Sequence, residues 1–142
     1  MKFRLFTLLL LFPLFAEAKW INVTENMGIQ MYYDNATVTS KGSVKRFMLL
    51  LDYGKENEAS FMLNGESRYI KFYSATTLAY LTCNVPKIYF AAFAYYSLPM
   101  AQGEELAQET QFSRFEDMPK MESKSLQDWP KLQLFANRLC KK

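Results

Sequence analysis

Two cysteines, Cys83 and Cys140, stand far apart in a chain of 142 residues. Whether they are bonded decides how the chain can fold, and the N-terminus bears on that. Lys2 and Arg4 precede an apolar run from Leu5 to Phe15, interrupted only by Thr7 and Pro13. Ala16-Glu17-Ala18 then places small residues at the −3 and −1 positions of a signal-peptidase site. The run is about half of the ~20 residues a helix needs to cross a bilayer. Residues 1–18 are therefore expected to be a signal peptide cut after Ala18, and the processed chain is expected not to span a membrane. No cysteine adjoins the cut, so lipid modification is not expected and the destination is the periplasm, the cell surface or the medium. An exported chain with an even cysteine count reads as disulfide-bonded. A Cys83–Cys140 bond would close a loop of about 57 residues and contribute roughly 4 kcal/mol in the chain-entropy model. Two free thiols, or a bridge between chains, are the alternatives.

Residues 19–142 suit a single domain with a core of its own. The formal charge is +3, and losing Lys2, Arg4 and Glu17 lowers it by one unit. The basic residues are scattered, with no arginine cluster of the kind nucleic-acid binding needs. Aromatic residues make up 16 % of the chain, mostly Tyr and Phe, which favour pleated, half-buried surfaces. There is no internal repeat.

The apolar pattern is that of strands. Lys19–Val23 and Ile29–Tyr33 read as short strands around Gly28, with turn signals at Asp34-Asn35 and at Lys41-Gly42-Ser43. Val44–Tyr53 alternates with period two and carries its more apolar set at Phe47, Leu49 and Leu51. Residues 54–67 are polar and are expected to form a long loop or irregular hairpin, with Asn64-Gly65 as its turn. Thr76–Cys83 forms the best-defined part of the next strand, and Asn84-Val85-Pro86 turns the chain. Lys87–Ser97 follows, apolar on both faces: Ile88, Phe90, Ala92, Ala94 and Tyr96 on one, Tyr89, Ala91, Phe93 and Tyr95 on the other. A strand wet on one side alternates with polar residues, so both faces are expected to be covered. The cover over Tyr89, Phe93 and Tyr95 is either a second copy of the chain, making those residues an interface, or the chain's own segment 113–125. A third expectation is a small-ligand cup lined by Phe90, Phe93, Tyr95 and Tyr96; plain core is the ordinary alternative.

Pro99 and Gly103 bracket a turn, and Glu104–Phe112 is expected to be an edge strand despite its helical propensity. Leu126, Trp129, Leu132, Phe135, Ala136 and Leu139 recur at three- and four-residue steps, the mark of one helical face. Pro130 is tolerated only in a first turn, so the helix is expected to begin near Asp128, capped by Ser125 or Asp128. Cys140 edges the same face, and Cys83 shares strand parity with Leu81 and Ala79. A bond between the two cysteines would pin the helix onto that side of the sheet.

Catalytic groups are sparse. The chain has no histidine, the commonest general base and transition-metal ligand. Bonded cysteines supply no thiolate, and the five glycines form no phosphate-cradling loop. Glu104/Glu105 and Glu116/Asp117 are sequence neighbours that would point to opposite faces of a strand. No enzyme activity, cofactor or metal site is expected.

Several segments, in order, resemble the surface-adhesin protein E family. Ala18-Lys19-Trp20-Ile21 follows the signal, and Met31-Tyr32-Tyr33-Asp34 and Leu51-Asp52-Tyr53 come next. Cys83–Gly103 contains Tyr95-Tyr96-Ser97-Leu98-Pro99-Met100 before a glycine, and Trp129 precedes a terminal helix ending Leu139-Cys140. The resemblance implies an α+β fold: one antiparallel sheet of about five or six strands with the C-terminal helix on one face, held by the cysteine pair. It also implies a bacterial envelope protein that binds a protein partner, from the host or the envelope. A self-associating accessory protein is the alternative. Two Asn-X-Thr sequons, at Asn22 and Asn35, then have no glycosylation role.

Overall fold

A meander of antiparallel strands runs through the molecule, each of the first six paired with its sequence neighbour. The computed structural model describes residues 19–26, 28–111, 116, 118, 123–127 and 129–141; the expected signal peptide and Asp128 lie outside them. The strands are β1 (Trp20–Asn26), β2 (Ile29–Lys41), β3 (Val44–Leu63), β4 (Glu66–Thr82), β5 (Lys87–Leu98), β6 (Gln102–Thr110) and β7 (Lys124–Ser125). The sheet order is β1-β2-β3-β4-β5-β6, and β7 pairs with the first two residues of β5. Among the described residues there is one α-helix, α1 (Pro130–Cys140), and a short 3-10 turn at Pro99–Ala101. The α+β reading holds, with one short strand more than the sequence announced.

Of the two expectations for the polar stretch 54–67, the irregular hairpin is the one the structure has, and the long loop is not. β3 and β4 continue as a two-stranded ribbon, with Asn57 opposite Phe72 and Leu63 opposite Glu66. The ribbon turns at Asn64 and Gly65, both at positive φ, the geometry a two-residue hairpin prefers. Exposed polar side chains reflect an outer ribbon wet on much of its surface, not an absence of pairing. Lys71 reaches Glu56 at 3.0 Å and Glu58 at 3.6 Å across it.

Asp34-Asn35 does not end a strand either. It opens an irregularity inside β2, where pairing with β3 slips between Asp34 and Thr39. Asp34 Oδ1 accepts the Ala36 N–H at 2.9 Å. Thr37 Oγ1 donates to Asp34 O and accepts from Met48 N–H. β3 repeats the device between Asp52 and Asn57: Asp52 Oδ1 accepts the Gly54 N–H at 3.0 Å. In both places an aspartate satisfies the N–H two residues on, the bond that makes Asp a turn former. Flanking strands convert the turn signal into a bulge.

A third irregularity corrects the face assignment of β5. Leu78 pairs with Ala92 but Ala79 pairs with Phe90, so Ala91 is an extra residue. Opposed residues in an antiparallel pair share a face, so parity flips at Ala91. Ile88 and Phe90 lie on the same side as Phe93 and Tyr95, and Tyr89 lies on the other.

The helix covers the side of Phe47, Leu49, Ala79, Leu81 and Ile88, with Leu132, Ala136 and Leu139 packed into them. Tyr33 and Phe47 meet the Phe135 ring at 4.8 and 5.7 Å between centroids. Leu126 belongs to this core but precedes the helix; Trp129 N–H donates to its carbonyl. The helix begins at Pro130, with Trp129 at the N-cap and no side-chain cap. Ser125 instead sits in β7, its Oγ accepting from Gln127 N–H. Proline at the first position supplies the start, because its missing N–H is one the helix could not bond anyway. The Cys83–Cys140 disulfide is formed, with 5.6 Å between Cα atoms, and ties the last helical turn to the end of β4.

Candidate functional site

The sheet face away from the helix is where the fold leaves an opening. The turn between β5 and β6 folds back over this face. Gln102 N–H donates to Pro99 O, and both central residues, Met100 (φ 58) and Ala101 (φ 55), are left-handed. Non-glycine residues in that region cost of order 1–3 kcal/mol each, so something must hold them. Met100 N–H donates to Asp52 Oδ2 at 3.2 Å, and Ala101 N–H donates to Ser74 Oγ at 2.9 Å. Ser74 Oγ in turn donates to Leu98 O at 2.6 Å. Asp52 is 8 % exposed and Ser74 fully buried, which makes these bonds costly to lose. Gly103 completes the turn at φ +78; a Cβ there would collide with Ser97 Oγ and lie 2.9 Å from Leu98 Cγ.

Pinned in this way, Met100 and Ala101 form one wall of a cleft of about 760 Å³. Lys19 and Trp20 form the opposite wall. Asp34, Met48, Thr76 and Tyr96 lie between them. Cross-strand register places three of these in a row: Trp20 opposite Asp34, and Asp34 opposite Met48. Asp34 is 7 % exposed. Its Oδ1 holds the Ala36 N–H. Among the described residues nothing donates to its Oδ2, and no cation stands within ion-pair distance. The cleft therefore presents one carboxylate oxygen among aromatic and thioether side chains, on a rigid frame.

Residues singled out from the sequence are distributed differently. Of Phe90, Phe93, Tyr95 and Tyr96, only Tyr96 lines this cleft. Phe90 packs against the helix-side core. Phe93 and Tyr95 join Phe72 and Ala75 in a separate cluster at the base of the ribbon, where the Phe72 and Tyr95 rings sit 4.9 Å apart. Burial raises the Tyr95 hydroxyl above its ordinary range, and Glu109, whose Oε2 accepts from it at 3.1 Å, adds to the effect. Tyr89 lies on the opposite side, packed with Val44, Tyr80, Ala91 and Met118. Met118, from the segment after β6, is thus one cover over that side. Sequence reasoning passed over Trp20, Asp34 and Met48 because one strand residue from each of three strands makes no motif. The traces were the Asp34-Asn35 turn signal and the family-like segments that contain Trp20 and Asp34.

Between β1 and α1 lies a smaller groove of about 360 Å³ with Lys131 and Arg138 on it. Among the described residues, no group of three or more Asp, Glu, Cys or His side chains is placed to hold a metal, and no helix is long and apolar enough to cross a membrane.

Comparison with known proteins agrees with this architecture. The fold is similar to the crystal structure of protein E from non-typeable Haemophilus influenzae, with a TM-score of 0.55 and 16 % identity over 91 % of this chain and 80 % of that one. It is similar to crystal form II of Haemophilus influenzae protein E, with a TM-score of 0.54 and 16 % identity over 86 % of this chain and 87 % of that one. No curated protein sequence matches. The family profile described as surface-adhesin protein E matches residues 20–131, from the first strand into the helix, and the chain belongs to that family.

Proposed function

We propose that this protein is exported through its N-terminal signal, cut after Ala18, and acts in the cell envelope or at the surface as an adhesin-like module that recognises a protein partner. The observation that carries the reading is family membership across almost the whole described fold. Chemistry supports binding over catalysis. The sequence has no histidine, and both cysteines are consumed in a disulfide. The partner is a host protein or another envelope protein. Self-association through Tyr89, Phe93 and Tyr95 remains a separate proposal. Because the bulge at Ala91 separates Tyr89 from the other two, it would need two surfaces per chain, and sedimentation showing only monomer at micromolar concentration would remove it.

The test is to purify the exported protein from the envelope and pass it over immobilised host-matrix proteins and envelope extracts. Saturable, concentration-dependent binding to at least one protein is expected. Its absence from both panels overturns the reading. An intact-mass measurement beginning at Lys19 is expected for the processed chain, and a mass retaining residues 1–18 overturns the export step.

A further inference from the structure

The geometry points to the cleft between Trp20 and Met100 as the seat for a single arginine side chain of the partner protein, with Asp34 as its counter-ion. The inference rests on the reading that the partner is a protein, and it names the contact that would secure it.

Three observations converge. First, Asp34 is 7 % exposed and lines the cleft, yet one of its two carboxylate oxygens accepts no bond among the described residues. Solvent reaches that oxygen through the cleft, and a cation entering there pairs with it. Second, the walls suit a planar cation with an apolar stem. Trp20 and Tyr96 offer aromatic surface to a guanidinium, and Met48 and Met100 offer soft apolar contact to its methylenes. Third, the cleft is held ready. Asp52 and Ser74 fix the left-handed Met100–Ala101 wall from below, while Trp20 and Asp34 are cross-strand partners in the sheet. A preformed site loses less ordering entropy on binding.

Guanidinium fits better than ammonium. Lys19 already stands at the rim, and a flat, weakly hydrated cation stacked on aromatic rings tolerates a nearby like charge better than a compact, strongly hydrated one. The volume of about 760 Å³ exceeds one arginine side chain, leaving room for the partner's flanking backbone.

The test uses the exported, disulfide-bonded protein, with N-acetyl-argininamide as the probe and N-acetyl-citrullinamide as its uncharged isostere. Amide resonances of Trp20, Tyr96 and Met100 are expected to shift on titration with the argininamide and hardly at all with the citrullinamide. Asp34→Asn keeps the oxygen that accepts from Ala36 and removes the charge, and is expected to weaken binding about tenfold or more. Tyr96→Ala gives a second reading should Asp34→Asn fail to fold, and is also expected to weaken binding. Equal response to the two probes, or unchanged affinity in a folded variant, overturns the proposal. Outcomes for the function separate cleanly from this. A protein partner bound equally well by wild type and Asp34→Asn overturns the arginine seat and leaves the adhesin reading intact. Asp34-dependent argininamide binding with no protein partner in either panel overturns the adhesin reading and leaves the cleft a guanidinium site.

Discussion

Asp52 and Met100 are 48 positions apart in the chain, and the carboxylate of the first accepts the backbone N–H of the second at 3.2 Å. The other carboxylate oxygen accepts the Gly54 N–H at 3.0 Å. One buried side chain thus holds both the bulge that starts the β3–β4 ribbon and the turn that walls the cleft. Asp52→Asn offers one oxygen to two donors and leaves an N–H facing an NH₂. It is expected to cost about 1–3 kcal/mol. Urea denaturation measures this, and amide exchange at Met100 and Ala101 is expected to accelerate in the variant. A loss below about 0.5 kcal/mol, the range of an inert surface change, would show that the bond does not hold the turn.

The disulfide is the second lever. It closes a segment of 57 residues and, in the chain-entropy model, contributes roughly 4 kcal/mol. Reduction is expected to lower stability by about that much and to release the helix first, because the bond holds its last turn. Near-ultraviolet dichroism follows the loss of the Tyr33, Phe47 and Phe135 ring contacts. A reduced protein melting at the wild-type temperature would mean the helix is held by packing alone.

Helix packing makes a paired prediction. Leu132 is 2 % exposed and Leu134 is 57 % exposed, two positions apart on one helix. Leu132→Ala is expected to cost about 2–5 kcal/mol, and Leu134→Ala to stay within about 0.5 kcal/mol. Equal costs in chemical denaturation would mean the helix is rotated from the orientation described here.

The helix was legible because Leu132, Phe135, Ala136 and Leu139 sit on one stripe and little else competes for that pattern. Its start was legible to within two residues from Pro130, but its cap was not: Trp129 takes that place without a side-chain bond, and the buried Leu126 and half-buried Trp129 continue the spacing ahead of the helix. β3 could be read as far as Tyr53, where Phe47, Leu49 and Leu51 alternate with the less apolar set Arg46, Met48 and Asp52. Beyond Gly54 the alternation is weaker in the sequence because one side, with Glu58, Ser60 and Met62, is exposed while Ala59 and Phe61 on the other are only half-buried against the Phe72 and Tyr95 cluster. The face of β5 was misread for a different reason: a bulge at Ala91 shifts parity without changing composition, and both neighbours of the bulge are apolar. The cleft was the least legible part. Asp34 and Asp52 carry local turn chemistry, which the sequence signals, but the second oxygen of Asp52 acts across the sheet on Met100 and Asp34 lines a cleft, and only three-dimensional register assembles either arrangement.

Alkaline pH supplies the last prediction. Burial raises the Tyr95 hydroxyl, with Glu109 reinforcing it, and burial alone raises Tyr53. In the unfolded chain both tyrosines lose their protons near pH 10; in the folded protein both keep them to higher pH. The folded state then binds more protons than the unfolded one above about pH 10, so stability falls as pH rises through that range. Below it, where both states are protonated, these groups leave stability independent of pH. Tyr95→Phe removes the ionisable group while keeping the ring against Phe72 and Phe61. The variant is expected to lose the hydrogen bond to Glu109, and to show a shallower decline in stability between about pH 10 and 12. Absorbance titration at the phenolate band provides the direct check: among the nine tyrosines, a late-titrating fraction is expected in the native protein and is expected to shrink in Tyr95→Phe. Ionisation of every tyrosine in one step at the ordinary pH, with the protein still folded, would mean that the Tyr95 hydroxyl is not held in the buried contact with Glu109.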